Sequence, residues 1–85
     1  MKSEMNKFVT SDLKLQAFLR VKAHSLFLGV DKSDPHRVLF VFQKTDKLSE
    51  LVRGYSQGKT YKISPLSFGN FLDEGKSLIF GNYEL

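Results

Sequence analysis

Four short stretches of the chain predict strands, in most of them because apolar side chains recur with a period of two residues. In the third stretch, Phe40 and Phe42 lie on one side and Leu39 and Val41 on the other, so both faces are apolar. We therefore place this strand in the centre of the sheet. A polar loop containing Pro35 separates it from the second strand, which predicts an antiparallel hairpin. The four predicted strands are residues 7–10, 24–30, 37–43 and 59–63.

Helical spacing predicts three helices in the remaining stretches. Residues 11–23 alternate partly like a strand, but a Thr-Ser-Asp start and strong helix formers favour a helix, with Gln16 and Arg20 on its outer side. The second helix begins at Thr45-Asp46 and carries apolar residues at i, i+3, i+4 and i+7; Gly58 suits its left-handed end. The third begins at Ser64-Pro65, because proline fits the first helical turn, and is expected to end at Gly81.

The element order that results is β-α-β-β-α-β-α. Its first six elements match the ferredoxin-like order, so we predict an α+β fold with a four-stranded, mainly antiparallel sheet and an extra C-terminal helix. A length of 85 residues corresponds to a single domain, residues 1–85. Residues 1–5 are expected to be disordered.

Composition narrows the class of protein further. The chain is too apolar to be disordered as a whole, at 41% hydrophobic residues. The N-terminus lacks the apolar segment of a signal peptide, and no apolar run approaches the length needed to span a bilayer, so we predict a cytoplasmic protein without membrane contact. Cysteine is absent, which suits a reducing compartment. The net charge of +4 divides into +6 up to Lys62 and −2 from Ile63 onward, which weakly favours an anionic partner over the basic part.

A set of short motifs resembles a small bacterial and phage domain family of unknown function. The similarity extends over residues 7 to 80, and it departs from the family pattern at Leu15-Gln16-Ala17, where the family has a pair of alanines. The resemblance implies a gene in a phage or mobile element and brings no activity with it. The motifs are Phe8-Val-Thr-Ser-Asp-Leu13, Leu28-Gly29-Val30, Arg37-Val-Leu-Phe-Val-Phe42, Leu51-Val52 with Tyr55, and Ile63-Ser-Pro65 before a helix containing Lys76.

The residues offer little to an enzyme, and we predict none. The two histidines, His24 and His36, lack a set of further ligands at metal-binding spacing, so no metal site is expected. No serine stands in a nucleophile elbow. Gly75-Lys76-Ser77 lacks the upstream glycine of a phosphate-binding loop and lies inside a predicted helix. We therefore expect no cofactor and no small-molecule substrate.

Binding is the remaining class of function, and two alternatives stay open. In the ferredoxin-like order, the 7–10 and 37–43 strands are central, and the sheet face away from the first two helices would show aromatic side chains on which RNA bases could stack. We expect the apolar third helix to cover this face; if it does not, the face is the site. The first alternative is nucleic-acid binding, and the second is contact with a protein partner or a second copy of the chain. The residues predicted to contact nucleic acid are Arg20, Arg37, Lys44, Lys47, Arg53, Lys59 and Lys62.

Overall fold

The computed structural model describes residues 6–80, and the predictions for residues 1–5 and for the chain after Phe80 lie outside this range. It is an α+β fold in which one antiparallel sheet of three strands packs against helices. The strands are β1 (Lys7–Thr10), β2 (Phe27–Asp31) and β3 (Leu39–Gln43). The helices are α1 (Leu13–Ala23), α2 (Asp46–Ser56) and α3 (Pro65–Phe80), and a short 3-10 helix, His24–Leu26, links α1 to β2.

The central strand is β3, as its two apolar faces predict. The sheet order is β1-β3-β2, with both pairings antiparallel, so the predicted hairpin between β2 and β3 is confirmed. The prediction that β1 is also central is wrong, because β1 is an edge strand. Phe40 and Phe42 point toward the helices and are fully buried. They form the core with apolar side chains of α1 and α2.

The helix starts follow from their capping side chains. Asp12 accepts hydrogen bonds from the backbone N–H groups of Lys14 and Leu15 at 2.9 and 3.0 Å, which satisfies two donors at the start of α1. The Thr45 hydroxyl accepts one from the Leu48 N–H at 3.1 Å at the start of α2. At the other end of α2, Gly58 has a φ of +78°, as its predicted role requires.

No fourth strand exists in the described chain, so the four-stranded, ferredoxin-like arrangement is not confirmed. The 59–63 segment has strand-like alternation, but its apolar side chains pack against the helices. Tyr61 lies against Phe18 with ring centroids 4.9 Å apart, and Ile63 packs on the same core. The Lys62 carbonyl accepts a hydrogen bond from the Lys22 ammonium at 3.3 Å. The segment therefore crosses the helices instead of extending the sheet.

The second strand begins later than predicted and is irregular. The pairing with β3 shifts between Phe27 and Gly29, and Gly29 has a φ of +128°. This bulge breaks the alternation, so that Phe27 and Val30 pack on the core while Leu28 is 52% exposed.

The third helix packs along α1, so that α1 is buried on nearly all sides. The close approach depends on Gly75, the one residue of α3 that is buried. A Cβ atom there would collide with the Gln16 amide and lie 3.0 Å from Cδ2 of Leu13. The prediction that Gln16 and Arg20 face outward is therefore wrong, because α3 covers that side of α1.

Candidate functional surfaces

The face of the sheet turned away from α1 and α2 is not covered by α3, contrary to expectation, since α3 makes its main contacts with α1. Paired residues of antiparallel strands point to the same side, and those that alternate with the core-facing Phe40 and Phe42 lie on this face. Val9 and Leu28 are half exposed, at 48% and 52%. We call this surface the open face; it comprises Lys7, Val9, Leu28, Gly29, Asp31, Leu39, Val41 and Gln43.

The open face lacks the aromatic side chains that were predicted for it. Phe8 pairs with Phe42 on the core side of the sheet, and the Phe40 and Phe42 rings have no solvent exposure. The face is instead aliphatic, with Val9 beside Val41 at its centre. Stacking of bases on this face is therefore not supported, because aliphatic side chains offer no π-surface to a base.

Arg20 lies in the interior and is not available to nucleic acid. Its side chain is 4% exposed, and its guanidinium carbon lies 4.1 Å from the ring centroid of Phe27 and 4.7 Å from that of Phe71. One terminal nitrogen donates to the Glu74 carboxylate at 2.9 Å. Within residues 6–80, its other two nitrogens have no hydrogen-bond partner. Arg20 therefore joins α1 to α3 and to the sheet, and its assignment to a nucleic-acid site is wrong.

Three of the other predicted cations lie in the same region as Lys22 and Tyr61. The ammonium groups of Lys59 and Lys22 lie 5.4 and 5.8 Å from the Tyr61 ring centroid. Lys62 adjoins Lys22 through its carbonyl group. Arg53 and Lys59 line one polar depression of about 300 Å³, together with Glu50, Gly54 and Gln57. We call Lys22, Arg53, Lys59 and Lys62 the basic cluster.

The position of Tyr61 explains how the basic cluster is held together. The Tyr61 hydroxyl reaches α2 at Gly54, where a Cβ atom would collide with it. The ring also packs against Phe18 of α1. Tyr61 therefore fixes the 59–62 segment across the C-terminal halves of α1 and α2, which brings cations from three parts of the chain onto one surface. The Lys-x-Tyr-Lys order was visible in the sequence, but the participation of Lys22 was not.

The remaining predicted residues are exposed but lie elsewhere. Lys44 and Lys47 flank the start of α2, a helix length of about 16 Å from Lys59. Arg37 lies at the far end of β3, where its backbone N–H donates to Asp34 at 3.2 Å. It lines a depression of about 380 Å³, formed by Ser11, Pro35, His36, Arg37, Val38, Ile79 and Phe80.

Among residues 6–80, the side chains of Asp31 and Tyr55 have shifted pKa values. Two hydrogen bonds from Ser33, one from its hydroxyl at 2.7 Å and one from its N–H at 2.9 Å, lower the pKa of the Asp31 carboxyl. Burial raises the pKa of the Tyr55 hydroxyl, and the negative charge of Asp12 adds to this shift. Asp31 therefore keeps its negative charge to a lower pH than an ordinary aspartate, which matters because it lies on the open face.

Over residues 6–80, no three side chains of His, Asp or Glu come together as ligands for a metal ion would. In the same range, no helix combines the length and the apolar character needed to cross a membrane.

Comparison with known proteins gives a family and no function. No curated protein and no solved structure matches the chain. A family model described as a domain of unknown function, DUF5659, matches residues 5–77, which includes every strand and helix except the last turn of α3. The chain therefore belongs to the DUF5659 family of domains of unknown function.

Proposed function

We propose that the protein is a non-enzymatic binding module that contacts the phosphate backbone of nucleic acid through the basic cluster. The observation that supports this proposal is that the ammonium groups of Lys22 and Lys59 lie near the Tyr61 ring. Arg53 shares a depression with Lys59, and Lys62 adjoins Lys22 through its carbonyl group. Glu50 is the one acidic residue among those that line the adjoining depression, and it faces the two cations Arg53 and Lys59, so the lining has a net positive charge. Such a surface attracts polyanions and holds phosphates by charge-assisted hydrogen bonds.

The surroundings of the Tyr61 ring favour contact with phosphates over recognition of bases. One neighbour of Tyr61 is Phe18, and two ammonium groups lie near the same ring. A base could stack on Tyr61 only by displacing these groups. We therefore expect weak binding that tolerates many sequences and depends strongly on salt. Four cations that each neutralise one phosphate give a slope of about −3 for log K against log salt on a single strand.

The test is a salt titration with a short fluorescent single-stranded oligonucleotide, followed by anisotropy. Lys59→Ala and Lys62→Ala should each weaken binding and reduce the slope by about 0.7, because each removes one phosphate contact. Lys44→Ala is the matched control, since it removes the same charge at an exposed position a helix length away. No binding at about 50 mM salt, or an equal loss in the control, would refute the proposal.

Contact with a protein is the second candidate, and the open face favours it. Its aliphatic centre, with Val9 and Leu28 half exposed, is the kind of surface that protein partners cover. A bacterial or phage origin, and a location in the cytoplasm, stay predictions that agree with either candidate.

A further inference from the structure

The open face carries one positive and one negative side chain at diagonally opposite corners. Lys7 of β1 pairs with Gln43, the last residue of β3, whereas Asp31 of β2 pairs with Leu39, the first residue of β3. β1 and β2 flank β3 on opposite sides, so Lys7 and Asp31 lie on opposite edges of the sheet. They also lie at opposite ends of β3. Both side chains are exposed. The aliphatic residues lie between them.

A two-fold axis that lies in the plane of this face, perpendicular to the line from Lys7 to Asp31, exchanges the two corners. Two copies packed face to face about that axis would each place Lys7 over Asp31 of the other, and the aliphatic centres would meet between two ion pairs. Closed dimers require such a self-complementary patch. The charge pattern of the open face is thus complementary to that of a second copy.

We infer that the open face is the contact surface of a symmetric homodimer, with Lys7 of each copy paired to Asp31 of the other. This inference rests on the second candidate function, protein contact through the open face, and names the partner. The low pKa of Asp31 keeps the pairing charge present across the neutral and mildly acidic range.

The small size of the face sets the strength of association. Three strands about 4.8 Å apart, with about five residues at 3.4 Å each, cover roughly 250 Å² in projection, so the face is small for an interface whose stable examples bury about 800 Å² of accessible surface per partner. The dimer is therefore expected to be weak and transient, as small interfaces are. Its charge pairs are exposed, so association also weakens as salt rises.

The experiment is sedimentation velocity at low salt over a concentration series that reaches about 1 mM. We expect wild type to shift from monomer to dimer. Lys7→Asp and Asp31→Lys should each raise the dissociation constant about tenfold, because each places like charges opposite one another twice. An equimolar mixture of these two variants should associate as heterodimers, since both contacts then join opposite charges. The double variant K7D/D31K should recover self-association for the same reason.

Apolar substitutions provide the matched control. Leu28→Glu should abolish the dimer, whereas Leu66→Glu, the same change at a 73% exposed position on α3, should leave it intact. Circular dichroism and thermal melting establish that each variant is folded. A monomer at every concentration, a dimer that survives Leu28→Glu, or a mixture that associates no better than its separate components would overturn the inference. None of these changes touches the basic cluster, so oligonucleotide binding is measured independently on the same variants.

Discussion

Replacement of Gly75 by alanine tests the packing of α3 on α1. The new Cβ would collide with the amide of Gln16, whose nitrogen donates to the Phe71 carbonyl at 3.0 Å. Gln16 is fully buried, so its amide would lose this partner without gaining water in exchange. Loss of this buried hydrogen bond costs about 1–3 kcal/mol, while the better helix propensity of alanine returns up to about 1 kcal/mol. We expect a net loss of about 1–2 kcal/mol.

Gly69 in the same helix supplies the control. A Cβ atom there would meet nothing within 4 Å, so Gly69→Ala should stabilise the protein by up to about 1 kcal/mol through helix propensity alone. Thermal and urea unfolding would measure both variants, and for a domain of this size each kcal/mol corresponds to about 4–8 °C in Tm. In a Gln16→Ala background, Gly75→Ala should lose most of its cost. If Gly75→Ala stabilised the protein as much as Gly69→Ala, the packing argument would be refuted.

Three further changes test individual contacts. Arg20→Ala should lower the free energy of unfolding in urea by about 2–4 kcal/mol, because it removes the packing against two phenylalanine rings and leaves Glu74 unpaired. In a folded protein it should leave oligonucleotide affinity unchanged. Lost affinity with normal stability would contradict the buried position of Arg20. Ser33→Ala should raise the pKa of Asp31, because it removes the hydroxyl hydrogen bond, and an NMR titration of the carboxyl carbon would detect the change. In the wild type, the ionised Asp31 stabilises the fold at every pH above the ordinary pKa of an aspartate. This stabilisation is lost as the pH falls through the lowered pKa. Gly58→Ala should destabilise by about 1 kcal/mol through its positive φ alone, as measured by urea unfolding, and an unchanged midpoint would exclude that strain.

Local sequence signals predicted most of the elements correctly. Capping residues such as Asp12 and Thr45 marked the helix starts, and the double-faced apolar pattern of β3 indicated its central position. The prediction of a fourth strand was wrong because alternation indicates an extended backbone with one buried face, and it does not indicate which element buries that face. At residues 59–63, the covering surface is a pair of helices, with Tyr61 packed on Phe18.

The candidate surfaces were harder to predict, for a related reason. The charge and the helical spacing of Arg20 predicted that it would face solvent. In the structure, α3 packs over that side of α1 and buries it. No local sequence pattern indicates that α3 packs over α1. Because α3 packs on α1, it does not cover the open face, and no other helix of residues 6–80 does so. The cations of the basic cluster, in contrast, were recognisable as Arg53, Lys59 and Lys62, because charged side chains at turns and helix ends stay in solvent.

The attachment of α3 chiefly to α1 has a consequence for the dynamics of the chain. Opening of α3 would leave the sheet, α1 and α2 in contact with one another, because α3 contributes no strand and few contacts to the sheet. Such a unit can open locally with a lower free energy than global unfolding. Amide hydrogens of α3 should therefore exchange with solvent faster than those of α1, and the buried guanidinium of Arg20 would become transiently accessible whenever they do.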